Sequence, residues 1–378
     1  MSLVVHIRKK IKNFTLTADF ETKDSSLGIL GASGCGKSMT LKCIAGIVTP
    51  DEGYIELNGK VLFDSEDNIN VIPQQRRVGY LFQNYALFPN MTVSGNIGIG
   101  IKGTKAEKAR QVAEMIKNFH LNGLEDRYPG QLSGGQQQRA ALARILAYEP
   151  DVLLLDEPFS ALDSYLKEEL QFQLQNLLRE YQGDSILVTH SRDEAYRLCK
   201  DLIILDNGRI LEAGETKRVF AKPKKVQAAR LTGCKNFSRA VKVSENQVEA
   251  LDWGQVLTVQ APIPETLSHI GIRAHDFKAC NEPEQGENVL PCDILRITEA
   301  PFEWNMLVRT GNDEENRENE HKSGSGYLKV VLDQESSADT DKTLIWWKVG
   351  KNQMNSGFQE SMPRYLTVAP GDILLLEV

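Results

Sequence analysis

The stretch LGILGASGCGKSMTLKCIAG, residues 27–46, decides how the rest of the chain is read. Leu27, Ile29 and Leu30 form a short apolar run that enters a loop carrying Gly31, Gly34 and Gly36. Lys37 and Ser38 then open a segment of helical character. This is the G-x-x-x-x-G-K-[ST] phosphate loop in its strand–loop–helix setting. Glycines let backbone N–H groups turn inward around an anion, and the helix that follows points its partly positive N-terminus at the same spot. Residues 31–38 (Gly31, Ala32, Ser33, Gly34, Cys35, Gly36, Lys37, Ser38) are therefore read as a cradle for a nucleotide's phosphates. Lys37 would reach the β and γ phosphates as a point charge, and the Ser38 hydroxyl would take one position on Mg²⁺.

Working outward, 378 residues suggest two or three domains. The formal charge of -7 gives no global basic face, so composition does not imply nucleic acid. The six cysteines show no C-x-x-C spacing and fit reduced thiols in a cytoplasm. The aliphatic runs are far shorter than the ~20 residues that span a bilayer, so a membrane role is expected to come through a partner.

Upstream, apolar residues alternate through 3–20, which predicts two antiparallel strands. GYIELNGKVLF, residues 53–63, reads as a hairpin turning at Asn58-Gly59. Together they predict an antiparallel subdomain beside the nucleotide core. Downstream, Ala109, Val112, Ala113, Ile116 and Phe119 share one helical face, so a helical subdomain is expected over about 84–150. Leu166 to Tyr181 keeps the same period, with Gly183 as its stop. Strand-like runs at 152–155, 186–188 and 202–205 alternate with helices, which argues for a parallel sheet. Beyond residue 233 the pattern changes to short β-type runs at 240–243, 256–260, 294–297, 306–308, 327–332 and 344–349. These predict an all-β domain, a small barrel. The acidic segment 312–325 is nearly devoid of apolar residues and reads as a flexible excursion. The expected domains are 1–232 and 233–378.

Two further constellations carry chemistry. VLLLDE, residues 152–157, is a buried strand ending in adjacent carboxylates. Neighbours on a strand point opposite ways, so Asp156 can serve Mg²⁺ while Glu157 polarises an attacking water. In LSGGQ, residues 132–136, Ser133 suits a helix N-cap and Gly134 and Gly135 let N–H groups approach phosphate oxygens, making a second anion site.

The ordered set GASGCGKS (31–38), Gln83 in LFQNYALFP, LSGGQQQR (132–139), VLLLDEP (152–158), SALD (160–163) and His190 in LVTH resembles that of ATP-binding-cassette (ABC) ATPases over about 1–235. The resemblance implies an α/β P-loop NTPase core with an antiparallel β subdomain and a helical subdomain, plus a C-terminal OB-like accessory domain. It implies ATP and Mg²⁺ as ligands, Glu157 as base, His190 as the γ-phosphate contact, and Gln83 as a lid residue sensing Mg²⁺ and water. Metal contacts would come from Ser38, Gln83 and Asp156. Ser133, Gly134, Gly135 and Gln136 would close over ATP held by a second copy, and Asp163 would belong to the loop that crosses the dimer interface. Phe14 is readable either as an adenine-stacking aromatic or as core. Implied partners are integral membrane permease subunits and, through them, an extracytoplasmic solute-binding protein, at the cytoplasmic face of the membrane.

Within the family, KNFTLTADFE, NGKVLFDS, PQQRRVGYLFQNYALFP, RLTGCKN and GIRAHDF look most similar to the ATPase of molybdate importers. Sulfate, polyamine and sugar importers are the alternatives. A soluble ABC ATPase acting on ribosomes or DNA would be expected to carry two cassettes or a long coiled coil, and neither is evident.

Overall fold

The structure is a computed structural model, and it describes residues 2–11, 14–160, 164–181, 183–280, 287–310, 343–353 and 362–378. Asp163, the segment 312–325 and the run at 327–332 lie outside the described residues. The chain divides into two compact units, Met1–Ala221 and Lys222–Val378. The division falls before residue 232 because the helix Val226–Leu231 packs Ala229 with Cys234, Leu374 and Leu376 of the second unit.

The first unit opens with β1 (Ser2–Ile11), β2 (Phe14–Lys23) and β3 (Ser26–Leu30), then α1 (Lys37–Ile44), β4 (Glu52–Leu57), β5 (Lys60–Asp64), β6 (Ile69–Asn70) and β7 (Val78–Leu81). Three helices follow, α2 (Val93–Gly98), α3 (Lys105–Asn118) and α4 (Gly134–Leu146). The chain then alternates through β8 (Val152–Asp156), α5 (Ser164–Glu180), β9 (Asp184–Thr189), α6 (Arg192–Leu198), β10 (Asp201–Asp206), β11 (Arg209–Glu215) and α7 (Thr216–Ala221).

All eleven strands form one sheet in the order β6-β5-β4-β1-β2-β11-β10-β3-β9-β8-β7. β10, β3, β9, β8 and β7 run parallel, as crossovers through helices require. β6, β5, β4, β1 and β2 are antiparallel hairpins. The antiparallel strands are thus continuous with the core sheet rather than a layer set beside it. The continuity is thin: β2 meets β11 through the single register pair Thr17–Arg209, with a 2.7 Å bond from the Thr17 N–H to the Gly208 carbonyl. Side chains reinforce the joint, since Leu16, Leu205 and Ile210 belong to one apolar cluster.

The parallel strands are buried on both faces. Along β8, Val152 and Leu154 join the cluster that contains α1 residues Leu41 and Ile44, whereas Leu153 and Leu155 join the cluster that contains Leu142 of α4 and Leu170 of α5. Period-two alternation inside a wholly apolar run is how one strand serves two layers. The β4–β5 turn has Asn58 at φ 53° and Gly59 at φ 78°, the pair of left-handed residues that the Asn-Gly sequence favours. α3 starts from a capping box in which Thr104 and Glu107 satisfy each other's backbone N–H groups.

From residue 233 onward the described elements are strands and short 3₁₀ turns, arranged as one five-stranded and two three-stranded sheets. They enclose a core that includes Trp253, Ile270, Leu290, Met306, Trp347 and Leu366.

Candidate nucleotide site at the carboxyl ends of the central strands

The chemistry-bearing residues of the first unit gather where the parallel strands end. The phosphate loop leaves β3, Gln83 follows β7, Asp156 ends β8 and His190 follows β9. The register holds those ends level, with Leu30 opposite Thr189, Asp156 opposite Val188 and Leu81 opposite Leu155. In parallel α/β sheets this edge is where ligands are held, because loops diverge there and helix N-termini converge.

Inside the loop, Gly34 has φ 80° and Gly36 φ 113°, conformations that glycine adopts without strain. Gly31 is required for a different reason: a Cβ there would stand 2.2 Å from the Leu205 carbonyl oxygen and 2.7 Å from Cys35 Sγ. The loop is therefore packed against β10 at its root, while Ala32, Ser33 and Gly34 are exposed. Cys35 turns its thiol into the core, and burial raises its pKa. Gly36 is the N-cap of α1 and contributes no side-chain cap, so the first N–H groups of the helix stay available to an anion. Lys37 is buried, and its Nζ donates to the carbonyls of Gly31 and Ala32, each at 2.9 Å. The lysine braces the loop from within.

Asp156 is held on both oxygens. Ser38 Oγ donates to Oδ1 at 2.7 Å and Tyr80 Oη donates to Oδ2 at 2.8 Å. Burial and the neighbouring carboxylate push the Tyr80 phenol well above its ordinary pKa, so it remains a donor. A hydroxyl and a carboxylate fixed together are the hard oxygen donors that suit Mg²⁺, which keeps several waters and takes few protein ligands. Among the described residues no group of three or more His, Cys, Asp or Glu could hold a metal ion. The Ser38 hydroxyl and the Asp156 carboxylate fit an ion that takes its remaining ligands from water and phosphate oxygens.

Glu157 departs from the sequence reading in one respect. The strand ends at Asp156, and Glu157 adopts φ 45°; a left-handed backbone, rather than strand alternation, aims the two carboxylates apart. That conformation costs a non-glycine residue on the order of 1 kcal/mol or more. Here it is held by the Glu157 N–H donating to Val188 O at 2.9 Å, and by Ser160 donating to Glu157 O through N–H at 3.2 Å and Oγ at 3.0 Å. His190 Nδ1 lies 3.3 Å from Glu157 Oε2, and the imidazole is half-exposed. Gln83 is exposed in the turn after β7. Phe14 sits at the loop: a Cβ on Gly36 would stand 3.5 Å from its Cε2, and it also packs against the core.

Ser133, Gly134, Gly135 and Gln136 lie elsewhere, at the start of α4. Ser133 Oγ accepts from the Gln136 N–H at 3.3 Å, and Gln136 Oε1 accepts from the Ser133 N–H at 2.9 Å. Gly135 is buried, and a Cβ there would stand 3.3 Å from Leu170 of α5. Among the described residues no hydrogen bond joins this cap to the phosphate loop.

Several supporting residues carried no signal in the sequence. Tyr80 looks like one more apolar position of β7. Arg76, buried, donates to Cys43 O and Ile44 O at 3.0 and 2.8 Å, to Val71 O at 2.7 Å and to Asn70 Oδ1 at 2.9 Å. It thereby caps the C-terminus of α1, and a Cβ on Gly46 would stand 2.5 Å from its Nε. Arg144 donates to the carbonyls of Ala86 and Tyr85 at 2.7 and 3.1 Å, holding the segment after Gln83, where both residues have positive φ. Asn96 fixes Phe88 through both its N–H and its carbonyl.

Comparison with known proteins shows the family. The family model described as ABC transporter matches residues 16–160. The chain is 40% identical over 239 residues to the probable sulfate/thiosulfate import ATP-binding protein CysA of Chlorella vulgaris, covering 62% of this chain and 99% of the relative. It is 43% identical over 210 residues to the spermidine/putrescine import ATP-binding protein PotA of Oleidesulfovibrio alaskensis, spanning about half (55%) of each. Among solved structures, CbiO1 of Clostridium perfringens, part of the ABC transporter complex CbiONQ, superposes with a TM-score of 0.52 at 29% identity, over 58% of this chain and 90% of that one. With the phosphate loop, the paired carboxylates and the histidine level at one sheet edge, the chain belongs to the ATP-binding subunits of ABC transporters, of importer type, and is an ATP hydrolase.

Proposed function

We propose that this chain powers import of a small charged solute, with sulfate-class oxyanions the first reading and polyamines the second. The observation that carries the ATPase part is Asp156 clasped between Ser38 and Tyr80, one residue ahead of Glu157 and level with His190. The loop's N–H groups and Lys37 bind the phosphates of ATP. Ser38 and Asp156, with Gln83 at the rim, would hold Mg²⁺, which would supply neutralisation of charge on the phosphate oxygens. Glu157 accepts a proton from water as its oxygen bonds to the γ-phosphorus and the bond to the ADP oxygen breaks. His190 donates a hydrogen bond to the γ-phosphate. Ser133–Gln136 of a second copy complete the site from its open side, and Asp163 joins the interface between the copies.

The chain acts as a homodimer, peripheral at the cytoplasmic face of the membrane, where permease subunits dock near Gln83 and receive solute from an extracytoplasmic binding protein. No helix among the described residues is long and apolar enough to cross a membrane. The second unit is read as an OB-like regulatory domain. The molybdate expectation gives way because the relatives are named for sulfate/thiosulfate and for spermidine/putrescine import. Uptake of labelled sulfate, spermidine and molybdate in cells lacking this chain, with and without its restoration, tests the reading. Loss of sulfate uptake alone is the expected result. Loss of spermidine uptake alone selects the second reading, and unchanged uptake of both sinks the proposal.

A further inference from the structure

Both neighbours of His190 are tied to one buried carboxylate. Glu194, on α6, is 3% exposed. Its Oε2 accepts from Thr189 Oγ1 at 2.5 Å, and Thr189 Oγ1 in turn accepts from the Ser191 N–H at 2.9 Å. Ser191 Oγ accepts from the Glu194 N–H at 3.4 Å as the N-cap of α6. The other carboxylate oxygen, Oε1, meets Lys167 Nζ of α5 at 2.6 Å. The residues before and after His190 are thus tied to Glu194, while the half-exposed imidazole has its Nδ1 3.3 Å from Glu157 Oε2.

A buried carboxylate needs its partners, since an uncompensated charge is costly. Glu194 stands at the third helical position, where a capping box would have its side chain accept from the N-cap N–H, but the Ser191 N–H goes to Thr189 Oγ1 and the Glu194 carboxylate accepts from Thr189 Oγ1. Glu194 and Lys167 instead bind α5 and α6 together directly below the turn that carries His190. Misplacement of a reacting group by about 1 Å, caused by a change away from the chemistry, can cost up to roughly 10²-fold in rate.

We infer that Glu194 is a positioning residue for His190, acting through Thr189 and Ser191, with Lys167 as the counterion that sets its carboxylate. This rests on the role given to His190 above. The test compares steady-state ATP hydrolysis by the full-length dimer in four forms: native, Glu194→Gln, His190→Ala and the double variant, with folding of each followed by thermal melting. Glu194→Gln is expected to lower kcat about tenfold while KM for MgATP moves less than about threefold. In the His190→Ala background the same change should alter kcat less than about twofold, because its route is already gone. Lys167→Met should reproduce the Glu194→Gln loss and Lys167→Arg should restore kcat to within about twofold of native. Equal losses from Glu194→Gln with and without His190 would overturn the inference while leaving His190 itself in place. Full turnover by His190→Ala would overturn the role of His190 and the inference with it. If Glu194→Gln does not fold, Thr189→Val and Lys167→Met in the same two backgrounds carry the comparison.

Discussion

Glu157 and Tyr80 separate two kinds of contribution to one carboxylate pair. Glu157→Gln keeps the shape of the side chain and its left-handed backbone, so ATP binding should stay within about twofold while turnover falls by roughly 10²-fold or more, the worth of a general base. Nucleotide binding by fluorescence beside phosphate release checks this, and unchanged hydrolysis would remove Glu157 as the base. Tyr80→Phe should lower stability to urea by about 1–2 kcal/mol, because it strips one buried donor from Asp156 and leaves Ser38 as the other. Glycines, lysine and the acidic pair were legible in the sequence because each sits at a fixed spacing along the chain. The phenol was not, since a Tyr in an apolar strand gives no sign of which distant carboxylate it meets.

Elements built from neighbouring residues were legible for the same reason. The Asn58-Gly59 hairpin, the helix opened by Thr104 and Glu107, and the apolar β8 each follow from local stereochemistry and periodicity. What joins elements was hidden. Arg76 stands next to Arg77 in sequence, yet Arg77 is an exposed partner of Asp151, whereas Arg76 is buried and satisfies carbonyls of α1. Nothing local distinguishes the two. Arg76→Met should therefore destabilise the first unit by about 3 kcal/mol, since it leaves several carbonyls buried without donors. The equivalent change at Arg77, an exposed ion pair, should cost less than about 1 kcal/mol. Urea unfolding of both variants decides it, and equal losses would refute the capping role.

Across the whole molecule, all six cysteines are buried thiols outside any disulfide. Burial raises Cys43 to about 11, and Cys234 and Cys292 to about 12, so at neutral pH they are protonated as well as shielded. Fewer than about one thiol per chain should react with iodoacetamide at pH 8 in the time that urea-unfolded chain reacts fully. The linkage has a definite sign. A thiol with a raised folded-state pKa contributes its full stability below the free-thiol value of roughly 8.5, and for Cys43 that contribution is lost as pH climbs toward about 11. Stability measured between pH 7 and 10.5 should fall on the alkaline side, and a rise there would contradict this assignment. In the sequence the pattern changes beyond residue 233, whereas the second unit begins at Lys222, because which unit a short connecting helix joins depends on packing partners more than a hundred residues away, Leu374 and Leu376.

The join between β2 and β11 has a mechanical consequence. An eleven-stranded ladder that narrows to one register pair is compliant at that line: bending there strains a single register pair and slides apolar side chains, whereas each joint between the parallel strands carries four or five pairs. The hairpins that carry Phe14 can therefore tilt about it while the strands that hold the phosphate loop stay rigid. Amide hydrogen exchange should report two cooperative blocks, with β1, β2, β4 and β5 opening at lower free energy than β3, β8 and β9. A single shared opening free energy across all of these strands would show that side-chain packing alone makes the joint as stiff as the rest of the sheet.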